Sequence, residues 1–486
     1  MKRFVNLIIL SAMLTSSLVS CGEEPRNSPE TTEPSESVTE AVVTDVLANF
    51  EKKDFGGRAF NVLVSNEWTV DTLNQIWVEA ESGDVVLDSV YRRNRAVEEH
   101  FGVKVTPRDV PYGDLAETVR REVQSGEDNT DLVAHAPTRL APLAAEGMFL
   151  DINGVKSLDK SKPWFVDSVN SELEVAGKQY LFLTDMGFVF TSAANVMLYN
   201  RTMAEKFGLP DFQRLTLDGK WTLDEFESAM KGVSSDIDGK GVLDTSDRYV
   251  IAILWNEMTD TIPFALGQKI TERDNDGKPQ IVLNSEKTIT IIERLDRIFN
   301  KSEDVYLSGA TPGDSWKTQQ EMFRDGKTLF AIMNISSITK RLREMQDDYA
   351  ALPLPKYDEK QEKYLTGSSV DSSCIFALPK TVPDLEFAAL ITDAMSAKGA
   401  ELVIPAYVDT AIKVKFSNDE ESKEIYDLIL AGRTIDFASI YDSGGLYLLF
   451  RNMMKAKSTD FASYYASSAP AAEELYNEIY ELYKSN

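Results

Sequence analysis

Strand-like runs alternate with helix-like patterns along most of the chain, and this alternation limits the folds that it can adopt. Residues 60–65 (FNVLVS) favour a strand, and residues 86–101 then repeat valines and a phenylalanine on one helix face. A strand, a helix and a buried strand are predicted next, at 103–105, 115–123 and 131–135. Strand–helix–strand repeats of this size predict parallel sheets that are covered by helices on both faces.

The pattern continues with strand-like runs at 180–184, 196–199 and 249–255, and it becomes mainly helical after about residue 384. One helix start has a clear signature at 221–226 (WTLDEF). Thr222 and Glu225 can form a capping box there, and Trp221 and Phe226 can form a hydrophobic staple. A body of about 440 residues is too large for one core, so we predict two α/β lobes of roughly 200 residues each.

The first 49 residues predict a targeting signal and a tether. Residues 1–20 have a basic start and an apolar stretch that is too short to span roughly 30 Å of hydrocarbon, which is typical of a signal peptide. Cys21 follows Leu18-Val19-Ser20 and resembles the lipobox cysteine of bacterial lipoproteins, which receives a diacylglycerol. An ordinary signal with a chance cysteine is the alternative. Residues 21–49 are rich in Ser, Thr, Glu and Pro up to Glu40, which predicts a disordered tether. We therefore expect a protein anchored to the outer face of the cell membrane.

Charge and cysteine content exclude several kinds of partner. The chain has 51 Lys and Arg against 78 Asp and Glu, a net charge of −27. Such a chain is not expected to bind nucleic acid or an anionic membrane surface, because both require clustered cations. Two Cys and two His exclude a disulfide scaffold and a thiolate or His-rich zinc site. Cys374 is expected to be a buried, reduced thiol.

Common catalytic motifs are absent from the sequence. It contains no Gly-x-Ser-x-Gly, His-Glu-x-x-His, Gly-x-x-x-x-Gly-Lys-Ser/Thr or Gly-x-Gly-x-x-Gly. We predict that the protein is not an enzyme. A secreted glycoside hydrolase stays open as the alternative, because that chemistry needs only two carboxylates and the chain has 78 acidic residues.

An acidic loop at 236–247 (DIDGKGVLDTSD) predicts a calcium site. Asp236, Asp238, Asp244 and Asp247 stand at the first, third, ninth and twelfth positions of an EF-hand-like loop. Two features depart from that pattern: Lys240 replaces an oxygen ligand, and the last acid is Asp rather than Glu. The alternative is an acidic surface loop that Lys240 partly neutralises. No other cofactor is expected.

Four segments resemble those of the family 1, maltose-binding-like extracellular solute-binding proteins, the capture subunits of bacterial ABC importers. They are 196–209 (VMLYNR with FGL), 219–226 (GKWTLDEF), 323–330 (FRDGKTLF) and 352–356 (LPLPK). The resemblance implies a two-lobed periplasmic-binding-protein-like α/β fold with a ligand cleft between the lobes and a helix-rich C-terminal region. It also implies a monomer that captures a sugar by hinge closure and delivers it to ABC-transporter membrane subunits. A peptide or another polar solute remains an alternative ligand.

By the same resemblance, residues 50–184 and 325–372 are expected in lobe 1, and residues 185–324 and 373–486 in lobe 2. Ligands of open α/β sheets bind beyond the C-terminal ends of strands, and sugars need stacking aromatics with polar partners. The residues that follow or flank such strands are therefore candidate ligand contacts, although a Trp is more often a core residue than a ligand platform: Trp68, Asp185, Trp255, Asn256, Trp316 and Asn334.

Overall fold

The computed structural model describes residues 45–65, 71–309, 314–315, 317–413 and 420–486. The predicted signal peptide, Cys21 and the start of the tether lie outside these residues, as do Trp68 and Trp316. Within the described residues, no helix is both long enough and apolar enough to cross a bilayer.

The strands of the described residues belong to two five-stranded sheets and two small two-stranded ones. In chain order they are β1 (Arg58–Ser65), β2 (Val103–Val110), β3 (Leu132–His135), β4 (Leu181–Phe182), β5 (Asn195–Asn200), β6 (Tyr249–Ile253), β7 (Thr271–Arg273), β8 (Pro279–Ile281), β9 (Val305–Leu307), β10 (Thr328–Asn334), β11 (Tyr349–Leu352), β12 (Thr366–Gly367), β13 (Ile375–Ala377) and β14 (Arg433–Thr434).

Helices cover both sheets and make up most of the chain after β13. In chain order they are α1 (Thr72–Ile76), α2 (Val85–Phe101), α3 (Leu115–Ser125), α4 (Pro137–Ala145), α5 (Asp167–Leu173), α6 (Val189–Ser192), α7 (Arg201–Lys206), α8 (Phe212–Leu217), α9 (Leu223–Ala229), α10 (Glu257–Asp260), α11 (Ile262–Ala265), α12 (Glu286–Phe299), α13 (Thr318–Arg324), α14 (Ile335–Arg341), α15 (Leu385–Lys413), α16 (Glu420–Ala431), α17 (Phe437–Tyr441), α18 (Leu449–Lys455) and α19 (Phe461–Ser485).

The first sheet has the order β2-β1-β3-β13-β4. β1, β2 and β3 are parallel, with Arg58 opposite Val103 and Val62 opposite Leu132. β13 and its neighbours are antiparallel, so the sheet is mixed rather than parallel throughout. The reason is that β13 returns from the other sheet instead of following a crossover helix, and it enters in the opposite direction.

The second sheet has the order β11-β5-β10-β6-β9. β10 runs antiparallel to β5, with Phe330 opposite Tyr199, and parallel to β6. The expected division of the chain placed 325–372 in the first lobe, but β10 and β11 both lie in this second sheet. Likewise β13, expected in the second lobe, completes the first sheet. The apolar pattern of a buried strand identifies it as a strand but does not specify which neighbour it pairs with.

Three stretches of chain pass between the sheets. Residues 183–194 lead from β4 to β5, and residues 353–374 lead from β11 to β13. The third is α15, which packs on α2 beside the first sheet and on α14 beside the second. These stretches close one side of the space between the sheets and therefore position the candidate site.

Candidate functional site

A cavity of about 660 Å³ opens between the two sheets. Its lining comes from both lobes and from all three connecting stretches. The first-lobe wall includes residues that follow β1, and the second-lobe wall includes residues at and after the end of β10. Phe188 beside α6 and Tyr407 of α15 contribute aromatic side chains. This is the position that the ends of β-strands predict for a ligand in an open α/β fold.

The first-lobe wall combines acidic and aliphatic side chains. Asp71 precedes α1 and is half-buried, and its carboxylate accepts a hydrogen bond of 2.7 Å from the amide of Asn74. Burial raises the pKa of Asp71, although Asn74 and the charge of Lys340 act in the opposite direction. Asp84 caps α2, since its carboxylate accepts the backbone N–H groups of Val86 and Leu87 at 2.9 and 3.0 Å. This cap holds the two aliphatic side chains at the edge of the cavity.

The second-lobe wall is built on Asn334 and α14. Asn334 ends β10, and its side-chain oxygen accepts the backbone N–H of Ser337 at 3.0 Å, which starts the helix. The helix then directs Thr339 and Lys340 to the cavity, and Arg343 follows just after it. Among the predicted ligand residues that the structure describes, Asn334 lies in the cavity lining.

Two aromatic rings lie between the walls. Phe188, next to α6, and Tyr407, on α15, stack with ring centres 5.1 Å apart and planes 8° apart. Both side chains are mostly buried but line the cavity. They place apolar surface beside the polar walls of the cavity.

A buried arginine supports the connecting stretch behind these rings. Arg93 of α2 donates hydrogen bonds to the carbonyls of Gln75 and Ile76 at 2.9 and 2.7 Å, and also to the carbonyl of Met186. Burial lowers its pKa to about 9. Gly399 of α15 lies so close that an added Cβ would be 2.5 Å from the Met186 carbonyl. The connecting stretch at 183–194, which helps to line the cavity, is therefore fixed to the first lobe.

Three other predicted ligand residues within the described part of the chain, Asp185, Trp255 and Asn256, lie outside the cavity lining. Asp185 forms an ion pair of 3.0 Å with Arg433, and both side chains are largely buried. Trp255 is 4% exposed and packs edge-to-face against Phe299 and Phe450. It is therefore a core residue in this structure, which is the alternative given for each Trp in the sequence analysis. The backbone N–H of Asn256 donates to Thr259. Neither Trp255 nor Asn256 is part of the cavity lining.

The acidic loop brings three of its four predicted ligands together. Side-chain oxygens of Asp236, Asp238 and Asp247 lie within 4.8 Å of one another, whereas Asp244 stands outside this group. Lys240 contacts Asp238 at 2.6 Å and Asp244 at 3.2 Å, and these two carboxylates raise its pKa. Backbone N–H groups also donate to Asp236 and Asp247. Lys240 thus occupies the position in which the EF-hand pattern needs an oxygen.

Sequence reasoning did not identify Asp71, Phe188, Tyr407, Lys340 or Arg343. Asp71 follows β1 by six residues, and Lys340 follows β10 at a similar distance, so a wider window after each strand would have included both. Phe188 and Tyr407 lie on connecting stretches, whose position depends on how the two lobes meet. Local sequence carries no signal for that contact.

The comparisons with known proteins agree with this architecture. A family model described as bacterial extracellular solute-binding protein matches residues 94–401. No curated protein matches the chain.

Solved structures with the same fold cover most of the chain at low identity. A sugar transporter protein from Rhizobium etli in an open conformation has a TM-score of 0.55 and 15% identity, covering 88% of this chain and 99% of its own. A cyclo/maltodextrin-binding protein complexed with maltotetraose has a TM-score of 0.54 and 16% identity, with coverages of 88% and 97%. The GacH receptor of Streptomyces glaucescens, solved unliganded and with acarbose, has a TM-score of 0.54 and 12% identity, with coverages of 86% and 99%.

Proposed function

The chain belongs to the family of bacterial extracellular solute-binding proteins, and on that premise we propose that it captures a carbohydrate between its lobes for an ABC importer. The observation that carries the proposal is the cavity of about 660 Å³, whose walls come from both sheets and from the stretches that connect them. A ligand that contacts both walls stabilises the closed arrangement of the lobes, which is the hinge mode of solute capture. The cavity volume lies within the range of small-molecule sites.

Sugar chemistry fits the side chains that line this cavity. Phe188 and Tyr407 offer apolar surface for a sugar ring face, while Asp71, Asn334 and Thr339 offer oxygen and amide groups for hydroxyls. The sugar ligands of the maltodextrin-binding protein and the GacH receptor support the same class of solute. We extend the proposal to a lipid anchor at Cys21, to ABC-transporter membrane subunits as partners, and to a monomer without catalytic activity.

A thermal-shift screen over mono- and oligosaccharides tests the proposal. A sugar that binds only the folded state raises its stability by RT ln(1 + [L]/Kd), so one chemical class should raise the unfolding midpoint in a concentration-dependent manner. Peptides and other polar solutes form the comparison set, and their binding in place of sugars would refute the carbohydrate assignment.

The same purified protein should release no reducing sugar from a panel of glycans. Asp71 and Glu344 both line the cavity, so turnover that disappears in Asp71→Asn or Glu344→Gln would instead establish the glycoside hydrolase alternative.

A further inference from the structure

The second-lobe wall of the cavity is cationic, although the chain as a whole carries a net charge of −27. Arg324, Lys340, Arg341 and Arg343 line the cavity, and three of these four lie within four consecutive residues at the end of α14. The acids in the lining are Asp71, Asp84 and Glu344. A locally positive site on an acidic protein concentrates small anions that the rest of the surface repels.

Two of these cations form no hydrogen bond or ion pair in the described part of the chain, although the charge of Lys340 acts on Asp71. No hydrogen bond or ion pair joins Lys340 or Arg343 to another described residue, whereas Arg324 pairs with Asp325 at 2.8 Å. The acids opposite them already accept hydrogen bonds, Asp71 from Asn74 and Asp84 from the start of α2. Lys340 and Arg343 therefore keep N–H donors that a ligand can use, whereas each first-lobe carboxylate already accepts at least one hydrogen bond from the protein.

Helix electrostatics explain only part of this cluster. Cations in the last turn of a helix interact favourably with its dipole, and Lys340 and Arg341 occupy the last turn of α14. Arg343 lies beyond the helix, and Arg324 comes from α13. Their presence on the same wall needs a different cause.

Resting on the proposed carbohydrate function, we propose that the ligand is an anionic sugar, one that bears a carboxylate or a sulfate. Lys340 supplies a point charge and Arg343 a planar fork of N–H donors, which together suit the oxygens of either group. The ring of the sugar then lies toward Phe188 and Tyr407, where the lining is apolar. The carboxylate and the sulfate share this chemistry and differ only in shape and source.

Calorimetric titration with matched pairs of sugars tests the charge. Digalacturonate is compared with its dimethyl ester, galactose 6-sulfate with galactose, and a set of neutral maltodextrins and xylo- and manno-oligosaccharides is titrated beside them. Each is measured with the parent protein and with the double variant Lys340→Gln/Arg343→Gln. Lys206→Gln is the matched control, because Lys206 is exposed at the end of α7 and outside the cavity lining. Unfolding midpoints verify that each variant is folded.

We expect a charged sugar to bind about tenfold more tightly than its uncharged counterpart, since two exposed ion pairs in the upper part of their usual range together contribute about that factor. The double variant should lose this preference, and Lys206→Gln should keep it. Added salt should weaken binding of the charged sugar to the parent but not to the double variant. Equal or tighter binding of neutral sugars, or a preference that persists in the double variant, overturns the inference and leaves carbohydrate capture standing. Binding of no sugar in either set refutes both.

Discussion

Trp255 gives a direct test of the distinction between a core residue and a ligand contact. Its ring packs edge-to-face against Phe299 and Phe450 at centroid distances of 5.5 and 5.9 Å, and 4% of the residue is exposed. The change Trp255→Ala would remove both ring contacts and leave a void between α12 and α18. A Trp or Phe in a core typically contributes about 3–5 kcal/mol relative to Ala. We expect a loss of that size in the free energy of unfolding.

Trp255→Phe is the matched variant. It keeps a ring between Phe299 and Phe450, and the indole N–H of Trp255 makes no hydrogen bond to the described residues, so none is lost. The smaller volume removed predicts a loss of roughly 1–2 kcal/mol. Urea unfolding gives the free energies, and titration with the tightest sugar of the screen gives the affinities. If Trp255→Ala unfolds at the parent midpoint but binds the sugar much more weakly, the core assignment is wrong.

Four further changes test separate features of the chain. Cys21→Ser should abolish labelling by radioactive palmitate and release the protein from the membrane fraction, and persistent labelling contradicts the anchor. Asp185→Ala leaves the largely buried Arg433 without its carboxylate and should lower the free energy of unfolding by about 3 kcal/mol in urea; lost affinity at unchanged stability would favour a ligand role. Burial lowers the pKa of His135 to about 4 from 6.5, so the unfolded chain takes up this proton first and stability should fall as the pH drops from 6.5 toward 4. His135→Gln should remove that part of the decline in stability. If the unfolding midpoints of His135→Gln and the parent depend on pH in the same way, the reasoning is wrong. Lys240→Asp supplies the missing oxygen in the acidic loop, so calcium should raise its melting temperature more than that of the parent, and no calcium effect on either would exclude the site.

Local signals in the sequence predicted the elements well where a short segment determines its own structure. Thr222 accepts the backbone N–H of Glu225, which is the N-cap half of the predicted capping box, and Trp221 and Phe226 pack with ring centres 6.3 Å apart, as the staple predicts. Cys374 is buried and unpaired, as expected. In each case the outcome depends on contacts between residues close in sequence, or on the preference of one side chain for the protein interior.

Predictions that depend on distant contacts were weaker. β10 and β11 are both apolar, buried strands, yet their apolar runs do not indicate which of the two sheets they join. Trp255 follows β6 as predicted, but α12 and α18 cover it, and both arrive from other parts of the chain. Asn334 is the last residue of β10, and its side chain caps the start of α14. Its position in the cavity is therefore determined by the strand and the helix that it connects.

The position of β13 has a consequence for how the molecule is made. Phe376 of β13 pairs with Ala134 of β3 on one side and with Phe182 of β4 on the other. The middle of the first sheet therefore cannot form until β13, a segment far along the chain, is present. During synthesis the chain emerges N-terminus first. The strands β1 to β4 are then present before β13, which joins β3 to β4 and appears only at about residue 377. Non-local pairing of this kind slows folding. The first sheet can therefore be completed only after most of the chain has been synthesised.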